Sequence, residues 1–287
     1  MTYRPPPRTY FTEPTVIRRD QALLSLWGDE TSGQVSDWFY VSSEEIHALV
    51  FALPPGGRYQ HSEDYRTVYR GDVCYYVLQG ELTLHNPESG EVVVAQAGEA
   101  VFFQTDAWHY GYNFGNQELK IWEVYAPPPA KGGGIAYAKT RPNLTEVRYG
   151  QDELLGRWPA AQHEAQAKSS LRVIRTGDIL WRLEGGKRQT QVGLFISTDF
   201  ITAGQIRLLP GQVAETESHA GDEILYVLEG RLNVFVPDGG TWHEVNPGDG
   251  FYVPYGVSHR YHNVSDREVS FFFAAAPGYL PPNQPER

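Results

Sequence analysis

The sequence predicts an all-β fold of two tandem small barrels. Three observations carry the prediction: an internal repeat, short alternating apolar segments parted by turn residues, and no amphipathic helix of ordinary length inside either repeat. The 287 residues include 29 Gly and 20 Pro, the turn formers that many short strands require. An apolar fraction of 41% with 13% aromatics suits a folded globular chain, not a disordered one.

The repeat comes first. Tyr76–Leu82, YVLQGEL, aligns with Tyr226–Leu232, YVLEGRL, at an offset of 150 residues. The same offset of 150 aligns GEAVFFQTDAWHYGYN from Gly98 with GDGFYVPYGVSHRYHN from Gly248. Upstream, VIRRDQALLSLW from Val16 faces VIRTGDILW from Val173, and LPPG at Leu53 faces LPG at Leu209. Such collinear matches define two copies of one domain, residues 16–126 and 173–277. Residues 1–15 form an N-terminal arm and residues 278–287 a tail. The Pro- and Gly-rich stretch within residues 127–172 reads as a linker or strap. Any helix in QDELLGRWPAAQHEAQAKSS is short, because Pro159 interrupts it.

The elements inside a copy follow. EIHALVFAL, CYYVLQGELTLHN, EVVVAQ, AVFFQ and LKIWEVYA are short apolar or alternating runs. Gly, Asn, Asp and Pro separate them at intervals of about 8–12 residues, as in a sandwich or barrel. Asp238-Gly239-Gly240 marks a hairpin turn.

Composition also excludes partners. A net charge of −11 lacks the basic footprint of a nucleic-acid binder. Cys74 is the only cysteine, so there is no intrachain disulfide and no cysteine-rich zinc site. No signal peptide is recognisable in MTYRPPPRTYFTEP, and the longest apolar run, FFFAAAP, is too short to span a bilayer. A cytoplasmic protein without membrane or nucleic-acid partners is expected. No phosphate loop or nucleotide fingerprint is present.

The chemistry concentrates in ETESHAGDEILYVLEG, Glu215–Gly230. Alternate residues of a strand share a face, so a strand here aims Glu215, Glu217 and His219 the same way. They either point into the barrel or lie solvated at an exposed strand end. An inward carboxylate is costly unless a cation or a proton accompanies it.

The spacing runs Gly211, Glu217, His219, Glu223, Gly230, then Gly248, Pro254, Gly256, His259, Asn263. This resembles the two-part signature of the cupin superfamily: Gly, His-x-His, Glu and Gly, then Gly, Pro, Gly, His and Asn. Glu217 is the one departure, standing where the family usually has its first histidine. The resemblance covers most of the chain and implies a bicupin, two tandem double-stranded β-helix barrels, with one divalent metal in the second. Carried over by position, His219, Glu223 and His259 are metal ligands. Glu217 is either a fourth ligand or a general base beside the metal, and Glu223 shares its candidacy as a catalytic carboxylate. The donor set suits Fe, Mn, Ni, Zn or Co, with Fe expected first. A small oxygenated substrate follows, and with it a mononuclear Fe(II) dioxygenase or a Mn oxidase or decarboxylase. The alternatives are a metal-dependent isomerase, epimerase or lyase with a glutamate base, and a non-catalytic small-molecule-binding bicupin. Self-association into a homo-oligomer is also implied.

The first copy has lost this set. At the offset of 150 its positions are Thr67, Tyr69 and Val73, with only His109 retained. HSED, His61–Asp64, falls near the ligand positions in another register, but the first barrel is expected to be structural, a lid or an interface element. In the second copy Tyr261 is expected to face inward and His262 outward. Tyr226, Tyr252, Tyr255 and Phe271–Phe273 are candidates for an aromatic pocket. His47, His85, His163 and His243 lack ligand spacing and are expected at the surface.

Overall fold

The computed structural model describes residues 9–128, 137–141 and 169–280. Most of the 1–15 arm and of the 127–172 strap lie outside these residues, as do His163 and the short helix expected near it. The described chain opens with β1 (Thr15–Ile17) and a short 3-10 turn at Arg19–Gln21. The first barrel follows as β2 (Leu23–Trp27), β3 (Val35–Ser42), β4 (His47–Leu53), β5 (Arg58–Tyr59) and β6 (Asp72–Gln79). It continues through β7 (Glu81–His85), β8 (Val92–Gln96), β9 (Ala100–Phe103), β10 (Tyr110–Tyr112) and β11 (Leu119–Ala126). After β12 (Arg172–Ile174) come β13 (Leu180–Glu184), β14 (Thr190–Ser197), β15 (Thr202–Leu208) and β16 (Gly221–Glu229). The chain then forms β17 (Leu232–Val236), β18 (Thr241–Val245), β19 (Gly250–Val253), β20 (Arg260–His262) and β21 (Val269–Pro277).

Each barrel pairs a seven-stranded sheet with a smaller one. The orders are β12-β9-β6-β11-β4-β3-β2 with β5-β10-β7-β8, and β1-β19-β16-β21-β15-β14-β13 with β18-β17-β20. This is the all-β architecture of two barrels read from the repeat. The sheets exchange their first strands. Thr15–Ile17 pairs with Gly250–Tyr252 of the second barrel, and Arg172–Ile174 pairs with Ala100–Phe102 of the first. Residues 16–17 and 173–174, each assigned by the repeat to its own copy, therefore complete the other barrel's sheet.

The central strands of the large sheets are buried on both faces, which is why they read as continuous apolar runs. Along β11, Leu119, Ile121 and Tyr125 enter the first barrel, while Trp122, Val124 and Ala126 enter a core between the barrels. FFFAAA on β21 divides in the same way. Phe271 and Phe273 fill the second barrel, and Phe272, Ala274 and Ala276 join the shared core. Tyr226 and Tyr252 also belong to that shared core, and Tyr255 is exposed. Among the aromatic candidates only Phe271 and Phe273 therefore line the second barrel. The shared core centres on Trp122, whose ring lies 5.1 Å from Tyr40 and 4.6 Å from Tyr226.

The Gly and Asn of the motif have structural work. Gly211, Gly230, Gly248 and Gly256 adopt positive φ, a region that residues with a Cβ rarely enter. Asn263 donates its amide to the carbonyls of Leu208 and Arg267, and Asn113 does the same to Leu53 and Gln117. One side chain thus closes the equivalent loop in each barrel.

Candidate metal centre in the second barrel

The segment holding Glu217 and His219 is not a regular strand. It is zipped to the segment before β20 by a single bridge, with reciprocal backbone hydrogen bonds of 2.9 Å between Glu217 and His259. His219 is fixed next, its carbonyl accepting the Gly256 N–H at 2.9 Å. Glu223 stands on β16, opposite Val253 of β19. Alternation places it on the inward face, above Leu225 and Val227.

The four residues converge. Ligand atoms of Glu217, His219 and His259 lie within 4.8 Å of one another. Glu223 Oε2 is 3.6 Å from His219 Nε2 and 3.0 Å from His259 Nε2. Glu217 Oε1 lies 3.7 Å from His259 Nε2. His219, Glu223 and His259 are buried, whereas the Glu217 side chain keeps 29% exposure. Glu217 is therefore the member facing the mouth. Glu215, expected on the same face, turns away and accepts the backbone N–H groups of Lys187 and Arg188. The irregular backbone breaks the two-residue period between them.

Both histidines are oriented from behind. His219 Nδ1 donates to the Tyr279 carbonyl, and His259 Nδ1 donates to the Val257 carbonyl at 3.1 Å. Each ring thereby presents Nε2 to the interior, as a carbonyl behind a metal-binding imidazole would have it. His219 Nε2 is buried and has no hydrogen-bond partner. Tyr279 also stacks on His219 at 4.8 Å, held by its hydroxyl on Glu184. Tyr261 faces inward, as alternation predicted, and donates to Glu223 at 3.0 Å. Its neighbour His262 points away, beside Arg260.

Burial alone would lower the His259 pKa, but Glu223 and Glu217 raise it to about 9. Burial likewise opposes ionisation of Glu223, yet His219, His259 and the Tyr261 hydroxyl bring its pKa below the usual value. For Glu217 burial wins over the two histidines and the pKa rises, with Glu223 and Glu184 adding to it. The donors fit a divalent ion: two Nε2 lone pairs and two carboxylates face one point, and one Nε2 lacks any other partner.

The first barrel keeps the frame and loses the chemistry. His109 Nδ1 rests on Ala107 and its backbone N–H bonds Thr67, as His259 does with Val257 and Glu217. Val73 opposes Phe103 as Glu223 opposes Val253, so the register at the offset of 150 holds. Burial takes the His109 pKa down to about 4. His61 bonds Tyr110 and packs on Trp108, and among the described residues it joins no metal-ligand cluster. His47 is buried, not exposed, with Nδ1 2.9 Å from Ser42 Oγ. His85 and His243 are only partly exposed. Sequence reasoning missed Tyr279 altogether, because an aromatic after the last strand carries no spacing signal.

Solved structures share this architecture. A protein of Pseudomonas aeruginosa described as a putative glyoxylate-induced protein superposes with a TM-score of 0.64 at 16% identity, covering 100% of this chain and 95% of that one. The oxalate decarboxylase of Lactobacillus farciminis, solved with formate, gives 0.61 at 14% identity over 95% and 87% of the two chains. Ylba of Escherichia coli gives 0.61 at 10% identity over 96% and 93%. At such identities the likeness is one of fold. In sequence, an uncharacterized protein of Streptomyces coelicolor is 32% identical over 72 residues, covering 25% of this chain and 67% of that protein. The cupin domain model matches residues 49–125 and again residues 204–275. Together these matches span more than half of the sequence, and the chain belongs to the cupin family as a bicupin.

Proposed function

We propose that this bicupin is an enzyme that holds one divalent metal in its second barrel and acts there on a small oxygenated molecule. The observation that carries the reading is His219 Nε2, buried without a partner while its Nδ1 is pinned to a carbonyl. A structural histidine has no reason to keep a bare lone pair aimed at two carboxylates and a second imidazole. His219, Glu223 and His259 would hold the ion, with Glu217 at the open side. When bound, the metal supplies Lewis acidity and a template for an oxygen-rich ligand. Two carboxylates beside two imidazoles make a hard, anionic donor set, which favours Fe or Mn over softer ions.

The chain's own residues supply the rest. Tyr261, whose hydroxyl stays protonated because burial raises its pKa well above the usual value, orients Glu223. Tyr279 and the apolar barrel beneath exclude water from His219. The first reading is a dioxygenase, or an oxidase or decarboxylase, to which the similarity to an oxalate decarboxylase lends support at the level of fold. A second reading, an isomerase or lyase, is favoured by Glu217 itself. Its side chain keeps 29% exposure toward the mouth, and a pKa above the usual carboxylate value suits a proton-transfer group.

The test is metal analysis of protein purified without chelators, then oxygen uptake over a panel of diketones, catechols, flavonols and hydroxy acids. About one metal per chain with substrate-dependent oxygen uptake supports an oxygenase. Turnover without oxygen uptake moves the assignment to the Glu217 base or to a decarboxylase. A protein whose stability and ligand binding ignore EDTA overturns both and leaves a binding module.

A further inference from the structure

The first barrel contains a polar site of its own. Where the second barrel has the core residues Val192 and Phe273, the equivalent pairings put Asp37 opposite Phe51 and Glu123 opposite Leu49 and Tyr75. Glu123 is 4% exposed and Asp37 9%. Neither accepts a hydrogen bond from a side chain of the described residues, and no lysine or arginine among those residues is buried. Among the described residues these two carboxyl groups therefore have no counter-cation, a costly arrangement for the ionised forms.

Hydroxyls of the same barrel lie close to its His109. Thr67 Oγ1 is buried without a partner, in the position that Glu217 takes in the second barrel. The Tyr59 hydroxyl is buried beside that of Tyr75, which lies 3.2 Å from His109 Nε2. Tyr59 fills the space next to Gly111, where a Cβ would meet its ring at 2.2 Å. Gly111 corresponds to Tyr261, so one ring has been exchanged for another from the neighbouring strand. His109 is walled by Tyr69 at 5.4 Å, Tyr75 at 5.8 Å and Tyr59 at 6.0 Å.

We infer that this interior is a second, metal-free binding site for a small primary ammonium ion, held by Glu123 and Asp37 within a wall of Tyr59, Tyr69 and Tyr75. The N–H donors of such an ion match an array made mostly of acceptors, and aromatic faces attract cations. An inorganic cation fits less well, since no three metal-ligating side chains converge here among the described residues. Burial raises the pKa of both carboxyls, that of Asp37 to about 7, and a bound cation would favour their ionised forms. The site does not depend on the metal reading of the other barrel.

The experiment is titration calorimetry of the full-length protein with methylammonium and ethylammonium, and with the uncharged isosteres methanol and acetamide. Saturable binding of an ammonium is expected, weakened at least about tenfold by Glu123→Gln and by Thr67→Val and unchanged by Glu217→Gln. A tenfold loss corresponds to about 1.4 kcal/mol. Gln is isosteric with Glu and Thr67→Val alters no carboxyl, so the two variants test the site independently, each checked for folding by circular dichroism. Absence of ammonium binding, equal binding of the isosteres, or loss with Glu217→Gln but not Glu123→Gln would each overturn the inference.

Discussion

His109 and His259 rest on equivalent carbonyls and present Nε2 to equivalent points of two barrels, yet their surroundings drive them apart. Burial alone leaves His109 neutral with a pKa of about 4, while Glu223 and Glu217 take His259 up to about 9. The difference is made by Val73 and Thr67 standing where Glu223 and Glu217 stand. Asp37 gives a residue-scale prediction. Its folded pKa of about 7 exceeds the ordinary value because burial penalises the charge. The folded state therefore holds a proton that the unfolded state releases, and stability falls as pH rises from about 4 to about 7. Asp37→Asn removes this dependence. Denaturant unfolding should show the variant gaining on wild type across that window, by about 4 kcal/mol at most at pH 8. A constant difference between pH 4 and pH 8 would refute the assignment.

At the scale of elements, the motif's asparagine and exchanged strands do the structural work. Asn263 caps the carbonyls of Leu208 and Arg267, and Asn113 those of Leu53 and Gln117. Replacing either by Ala leaves buried acceptors unpaired, and a loss of about 2–4 kcal/mol is expected from chemical denaturation. Equal losses from the two replacements would confirm that the loops are equivalent. His219, Glu223 and His259 were legible through their match to the two-part cupin signature, and the structure brings their side chains together. Glu215 was misplaced, since a two-residue period holds only in a regular strand and this segment is held by one bridge. His47 looked like a surface residue because a polar side chain in an apolar strand gives no sign of its Ser42 partner. The exchange of β1 and β12 was hidden for a different reason. Repeats reveal which residues are equivalent, not which copy they pair with. Asp37 and Glu123 were missed because carboxylates within apolar runs read as exposed positions.

At the scale of the whole molecule, the barrels share a core and cannot be independent. Trp122, Tyr40 and Tyr226 pack together from both halves, and Tyr40 donates to the Gly248 carbonyl at 2.6 Å. Trp122→Ala should cost about 3–5 kcal/mol, and calorimetry should show one transition for both barrels. Two separate transitions in the wild type would show that the shared core does not couple them. Within this single body, one barrel carries the carboxylate and imidazole cluster and the other carries its vacated frame. That asymmetry is tested most directly by elemental analysis of purified wild-type, His259→Ala and His109→Ala proteins. About one divalent metal per chain is expected in the wild type and in His109→Ala, and almost none in His259→Ala. Metal retained in His259→Ala, or lost equally in His109→Ala, would contradict a centre built on the second barrel.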